Sequence, residues 1–176
     1  MISIRRSVSI ERSPRDVFGL ISDPRRYPEF LVGISRWEPK SSKRRGRGAR
    51  YRVLMKVGAA EVGGLVEVVE WRQGKSIAWA SERGLDHRGQ WSVLPTAGGT
   101  RLELEIEYDL PGPGGWLVER IASRPVGRNM SATLLTARRI LEHEDMPRAK
   151  RSSGTTRRKS SDREDRTGRA RARRGG

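Results

Sequence analysis

The sequence predicts an α+β domain over residues 1–146, in which a seven-stranded curved antiparallel sheet packs around a long C-terminal helix in the order β-α-α-β6-α. Three observations predict it: apolar residues recur at period two in segments separated by glycine turns, two helix-start signals follow the first such segment, and a helical stripe follows the last. A basic tail, 147–176, completes the chain.

The first strand is read at 2–10, where Ile4, Val8 and Ile10 occupy even positions among Arg and Ser. Ser13-Pro14 then supplies an N-cap followed by proline at the first helical position, and Val17, Phe18, Leu20 and Ile21 form one apolar face. Asp23-Pro24 repeats the signal for a second short helix or turn through Tyr27, Phe30 and Leu31. Six further strands are expected at 34–39, 49–57, 61–71, 76–83, 88–94 and 100–110. Their junctions carry turn residues: Gly46 and Gly48, Gly58-Ala59-Ala60, Gln73-Gly74, Gly84, and Gly98-Gly99.

Connections this short favour consecutive antiparallel pairing, whereas parallel pairs require long crossovers. Two strands show their sidedness plainly. Tyr51, Val53, Met55 and Val57 alternate with Arg50, Arg52 and Lys56, and Leu102, Leu104, Ile106 and Tyr108 alternate with Arg101, Glu103, Glu105 and Glu107. One face of the sheet is therefore wet and the other needs a cover. After the break Pro111-Gly112-Pro113-Gly114-Gly115, residues 116–144 place Val118, Ala122, Val126, Met130, Leu134, Ala137 and Leu141 along one side of a helix long enough to supply it. Pro125 removes a ladder donor from that helix, so a kink or short break is expected near Arg124. The two short helices separate the first and second strands, so the first strand is expected beside the seventh.

Charge divides the chain. Between Asp145 and Gly176 there are twelve Lys and Arg against four Asp and Glu, half of the formal +16, and Ala is the only apolar side chain beyond Pro147. Such a segment buries too little to offset its ordering entropy and is expected to be disordered. A second basic run, residues 40–50, holds Lys40, Lys43, Arg44, Arg45, Arg47 and Arg50. Both runs suit nonspecific contact with nucleic acid or anionic membrane. The absence of cysteine excludes a disulfide framework or thiolate site, and no apolar run is long enough to span a bilayer. The expectation is a cytoplasmic protein, with attachment at a membrane surface as a variant, existing as monomer or weak dimer.

Five segments in this order and spacing resemble the SRPBCC or START-like superfamily, in particular its polyketide cyclase/dehydrase-like and coenzyme Q-binding-like groups. They are 13–18 running into 21–24, then 26–31, the pair Trp71 and Trp79, 84–91, and Gly98-Gly99-Thr100-Arg101. The Tyr27-Pro28-Glu29-Phe30-Leu31 segment is similar to that of coenzyme Q-binding proteins. The resemblance covers about residues 2–143. It implies the helix-grip fold and a ligand that is a lipid, quinone or polyketide-like molecule, handled as carrier or chaperone or acted on by an aromatase/cyclase. The basic tail and the 40–50 loop depart from that pattern.

A half-barrel closed over a helix leaves space for a ligand pocket. The residues expected to wall it are Tyr51, Val53, Met55, Val66, Val68, Trp79, Trp91, Leu104, Ile106, Tyr108, Asn129, Met130 and Thr133, with Glu70 a weaker polar candidate. Alternate connections lie at one end of a meander, so Arg83, Asp86, His87 and Trp116 are expected around the mouth. Among these, His87 is a candidate acid/base because imidazole is suited to proton transfer near neutral pH, with Asp86 and Tyr108 as further catalytic candidates. The same residues serve equally well as core and surface. No phosphate loop, HExxH, CxxC or GxSxG is present, and His87 and His143 lie far apart, so neither a metal nor another cofactor is expected.

Overall fold

A computed structural model describes residues 2–57, 59–109 and 115–143, with side chains described at all of these except 57, 60 and 115–123. Seven strands run β1 (Ile2–Ile10), β2 (Ile34–Pro39), β3 (Arg50–Val57), β4 (Ala60–Arg72), β5 (Ser76–Gly84), β6 (His87–Thr96) and β7 (Gly99–Tyr108). The helices are α1 (Pro14–Ile21), α2 (Tyr27–Phe30) and α3 (Gly115–His143). All strand pairs are antiparallel, in the order β1-β7-β6-β5-β4-β3-β2. β1 thus lies beside β7, and the curled sheet forms a half-barrel with α3 against it.

α1 starts where a side chain satisfies a free backbone donor, whereas α2 has no side-chain cap. Ser13 Oγ accepts the Asp16 N–H at 3.2 Å and donates to the Asp16 carboxylate at 2.7 Å, closing the first turn of α1. Asp23 instead accepts the Arg25 N–H at 3.1 Å, so Asp23-Pro24 forms a turn and α2 begins only at Tyr27.

α3 is anchored at its C-terminus by the β1–α1 junction. Arg12 donates through Nε to the Leu141 carbonyl at 2.7 Å and through a terminal nitrogen to the Glu142 carbonyl at 3.1 Å, satisfying carbonyls that the helix itself leaves free. Thr100 Oγ1 donates to the Arg12 carbonyl at 2.7 Å, tying the same junction to β7. This end of the molecule is solid: Ile10, Val17, Phe18, Leu20, Ile21, Leu102, Leu134, Ala137 and Leu141 belong to one buried cluster. Of the kink or short break expected near Arg124, the break does not occur: α3 runs unbroken through Pro125. Burial of Val126 and Met130 just beyond it offsets the lost ladder bond. The expected tail, 147–176, lies outside the described residues.

Candidate functional site: a cavity between sheet and helix

Away from the solid end, the inner face of the sheet and α3 do not meet. A cavity of about 430 Å3 lies between them. Every residue expected to wall it borders it: Tyr51, Val53 and Met55 from β3, Val66 and Val68 from β4, Trp79 from β5, Trp91 from β6, Leu104, Ile106 and Tyr108 from β7, and Asn129, Met130 and Thr133 from α3. Val53, Met55, Trp79 and Ile106 point inward yet remain only half-buried. Apolar side chains on the core face of a sheet keep that much free surface only where no neighbour fills the space in front of them.

The sequence reading overlooked a third wall. Pro24, Tyr27, Leu31, Val32, Ile34 and Trp37 border the cavity from the segment joining α1 to β2. Tyr27 and Trp37 meet edge to face at 4.5 Å between ring centroids, and Trp37 lies 4.8 Å from Tyr51. The Tyr27 hydroxyl donates to the Ile21 carbonyl at 2.8 Å and the Tyr51 hydroxyl donates to the Arg44 carbonyl. Burial pushes both phenols above their ordinary range, so they stay neutral donors. Trp37 Nε1 is buried with no hydrogen-bond acceptor, its indole held by the two rings instead. Val62, Gly63, Trp71, Ile77, Leu85, Pro125 and Val126 complete the lining. Two of these follow from residues the sequence placed on the wall: Val62 stands opposite Met55, and Ile77 lies two residues before Trp79 on the same strand.

The helix side of the opening is pinned by two contacts. Val32 donates its N–H to Thr133 Oγ1 at 2.9 Å. Gly33 has φ of +83°, and a Cβ there would fall 2.1 Å from Asn129 Nδ2, so any larger residue meets both a left-handed backbone and the Asn129 amide.

At the expected mouth the four residues separate. His87 borders the cavity, and its Nδ1 lies 2.9 Å from the Leu85 carbonyl. A carbonyl accepts only, so Nδ1 is the donor in this contact, and in the neutral imidazole Nε2 is then the acceptor. Directly across the ladder stands Tyr108, also on the cavity wall. Asp86 is exposed, does not border the cavity, and accepts from Ser81 Oγ at 3.3 Å. Arg83 lies on the outer face. Simple alternation from Trp79 through Ser81 would turn Arg83 inward, but the ladder pairs Val66 with Ser81 and Leu65 with Arg83, leaving Glu82 as an extra residue that reverses the side. The Trp116 side chain lies outside the described residues. Glu70, the weaker candidate, does not border the cavity: its carboxylate accepts from Ser76 Oγ and from Arg72, each at 3.1 Å.

Residues 40–50 form an ordered strap. Arg45 donates to Ser22 Oγ and lies 5.3 Å over the Trp71 ring, while Arg50 reaches both Glu67 and Glu82 at 3.0 Å. Among the described residues no group of three His, Asp or Glu side chains is placed to hold a metal ion, and no helix is long and apolar enough to cross a membrane.

A family model described as polyketide cyclase/dehydrase and lipid transport matches residues 1–142. The chain belongs to that family. Solved structures similar to this polyketide cyclase/dehydrase and lipid transport family member include TTHA0849 from Thermus thermophilus, 22% identical with a TM-score of 0.72 over 82% of this chain and 100% of that one. The Zhui aromatase/cyclase from Streptomyces sp. R1128 is 15% identical, with a TM-score of 0.69 over 80% of this chain and 93% of that one. The di-domain aromatase/cyclase BexL from the BE-7585A biosynthetic pathway is 18% identical, TM-score 0.64, over 80% of this chain and 50% of that one. Such identities establish a shared fold. Among curated proteins none matches the chain in sequence.

Proposed function

We propose that the chain binds a small hydrophobic molecule of the lipid, quinone or polyketide type inside its cavity and serves as its carrier or chaperone. The observation that carries this reading is the unfilled space of about 430 Å3 walled almost wholly by apolar and aromatic side chains. That volume falls within the range of about 300–1,000 Å3 common to small-molecule sites. Burying the free faces of Val53, Met55, Trp79 and Ile106 against a ligand would gain about 25 cal/mol for each Å2 removed from water. The test is native mass spectrometry of the full chain purified from its source cells, together with titration by the neutral dye Nile red. A co-purifying hydrophobic molecule and saturable dye binding, reduced at least about tenfold in Met130→Trp, are expected. A chain that emerges empty and leaves the dye unbound would overturn the reading.

One contact favours a second reading, an aromatase/cyclase acting on a polyketide. His87 and Tyr108 are cross-strand partners and both border the cavity, which supports an imidazole and a phenol acting on one ligand. Cyclised product from a polyketide chain presented as a soluble thioester, lost in both His87→Ala and Tyr108→Phe while Nile red affinity persists, supports catalysis. Absence of cyclised product from the unsubstituted chain would leave carriage alone, and turnover that survives both substitutions would remove His87 and Tyr108 from the catalytic reading.

A further inference from the structure

We propose that the outer face of the sheet carries a phosphate-binding groove formed by Lys40, Arg52 and Arg83, separate from the cavity and independent of what the cavity holds. The groove encloses about 450 Å3 and is bounded also by Leu54, Leu65 and the backbone at Gly64 and Gly84.

The strand register builds it. Arg52 of β3 stands opposite Leu65 of β4, and Leu65 stands opposite Arg83 of β5. Two guanidinium side chains therefore flank one leucine, from backbones about 10 Å apart, and both can reach a group seated over Leu65. The extra residue at Glu82 is what turns Arg83 to this side.

Elsewhere on the outer face the strand registers set a cation against a carboxylate. Arg5 meets Glu105 at 2.8 Å, Arg88 meets Glu107 at 3.3 Å, and Arg50 meets Glu67 at 3.0 Å. The row Arg52–Leu65–Arg83 is different. Among the described residues neither arginine forms an ion pair or a side-chain hydrogen bond, although both are exposed. The nearby carboxylates are engaged already: Glu67 and Glu82 by Arg50, and Glu38 by Lys40 at 2.9 Å with Arg36 at 3.7 Å. Glu38 stands opposite Arg52 in the register but is shared among these neighbours.

Guanidinium groups on two strands that hold no ion pair of their own, Arg52 lying only within electrostatic reach of Glu38, with the Glu38-paired ammonium of Lys40 at the rim, match a tetrahedral dianion better than a single carboxylate, which one arginine fork already satisfies. Leu54 and Leu65 add apolar surface beside the charge, which suits a phosphomonoester carrying carbon rather than bare phosphate. A free phosphomonoester and the headgroup of a phosphatidic acid share this chemistry.

Full-length, 15N-labelled protein titrated with inorganic phosphate, glycerol 3-phosphate and dihexanoyl phosphatidic acid below its micelle concentration provides the test. Saturable shifts are expected at the Arg52 and Arg83 Nε–H signals and the Gly64 amide. Arg83→Gln and Arg52→Gln each weaken binding at least about tenfold, with the remaining spectrum unchanged, while Arg36→Gln has little effect. Tighter binding of the diacyl probe than of glycerol 3-phosphate assigns the site to a lipid headgroup, and equal affinities assign it to a small phosphomonoester. Shifts that do not saturate, that survive both arginine substitutions, or that are confined to residues 147–176 would overturn the proposal.

Discussion

Trp79 covers Gly89: the two stand opposite each other on β5 and β6, and a Cβ at position 89 would fall 2.2 Å from the indole Cζ2. The absent side chain on β6 lets the indole lie over its neighbour while its other surface faces the cavity. Gly89→Ala therefore drives the ring into the cavity. The expected result is a loss of about 1–3 kcal/mol in stability, measured by urea denaturation, and weaker Nile red binding. Unchanged dye affinity would mean that the ring does not border the bound molecule.

Gly33 and Asn129 form a second close approach, and their substitutions should couple. Gly33→Ala introduces both a left-handed backbone penalty of about 1–2 kcal/mol and a collision with the Asn129 amide. Asn129→Ala removes only the collision. The double variant should recover part of the stability lost in Gly33→Ala, and a strictly additive double-mutant cycle would deny the contact.

Thr133→Val keeps the shape of a buried side chain but removes the acceptor for the Val32 N–H. A cost of about 1–3 kcal/mol is expected, since a part-buried donor loses its partner. Amide exchange at Val32 should accelerate before any change appears at the solid end near Leu102. Equal acceleration at both places would show that the rim does not open separately.

Acid stability has several local contributors, since cationic partners hold Asp23, Glu38, Glu67, Glu105 and Glu142 below the ordinary carboxylate range, and Asp23 is the most strongly lowered. Hydrogen bonding from Arg25 lowers the Asp23 carboxyl from 3.8 to about 2. The depressed folded value means that this contribution is present above about pH 4 and is lost as pH falls toward about 2. Arg25 is largely exposed, so the effect is small. Asp23→Asn should flatten the stability profile between those two pH values and leave it unchanged in shape near neutrality. A profile identical to that of the unsubstituted chain throughout would remove Asp23 from the account.

The outcome at β5 marks how far a one-dimensional pattern reaches. Trp79 could be turned inward from alternation alone, and it is inward. Arg83, four residues later, could not, because the extra residue at Glu82 is a property of pairing with β4 and leaves no mark in β5 itself. The wall from Tyr27 to Trp37 escaped for a similar reason. α2 is one turn long and β2 carries a register shift between Ile34 and Arg36, so neither offers a period long enough to show a face.

Element order, the antiparallel meander, β1 beside β7, and the inward sets on β3 and β7 all follow from the sequence, because side-chain periodicity and turn chemistry are local. Whether those inward residues touch one another was decided only in three dimensions. At one end Leu134, Ala137 and Leu141 belong to a buried core with Ile10 and Leu102, whereas toward Pro125 the inner wall stands off and leaves space. That difference depends on the sheet's curvature and on where Arg12 and Thr133 fasten α3, contacts between residues about a hundred positions apart.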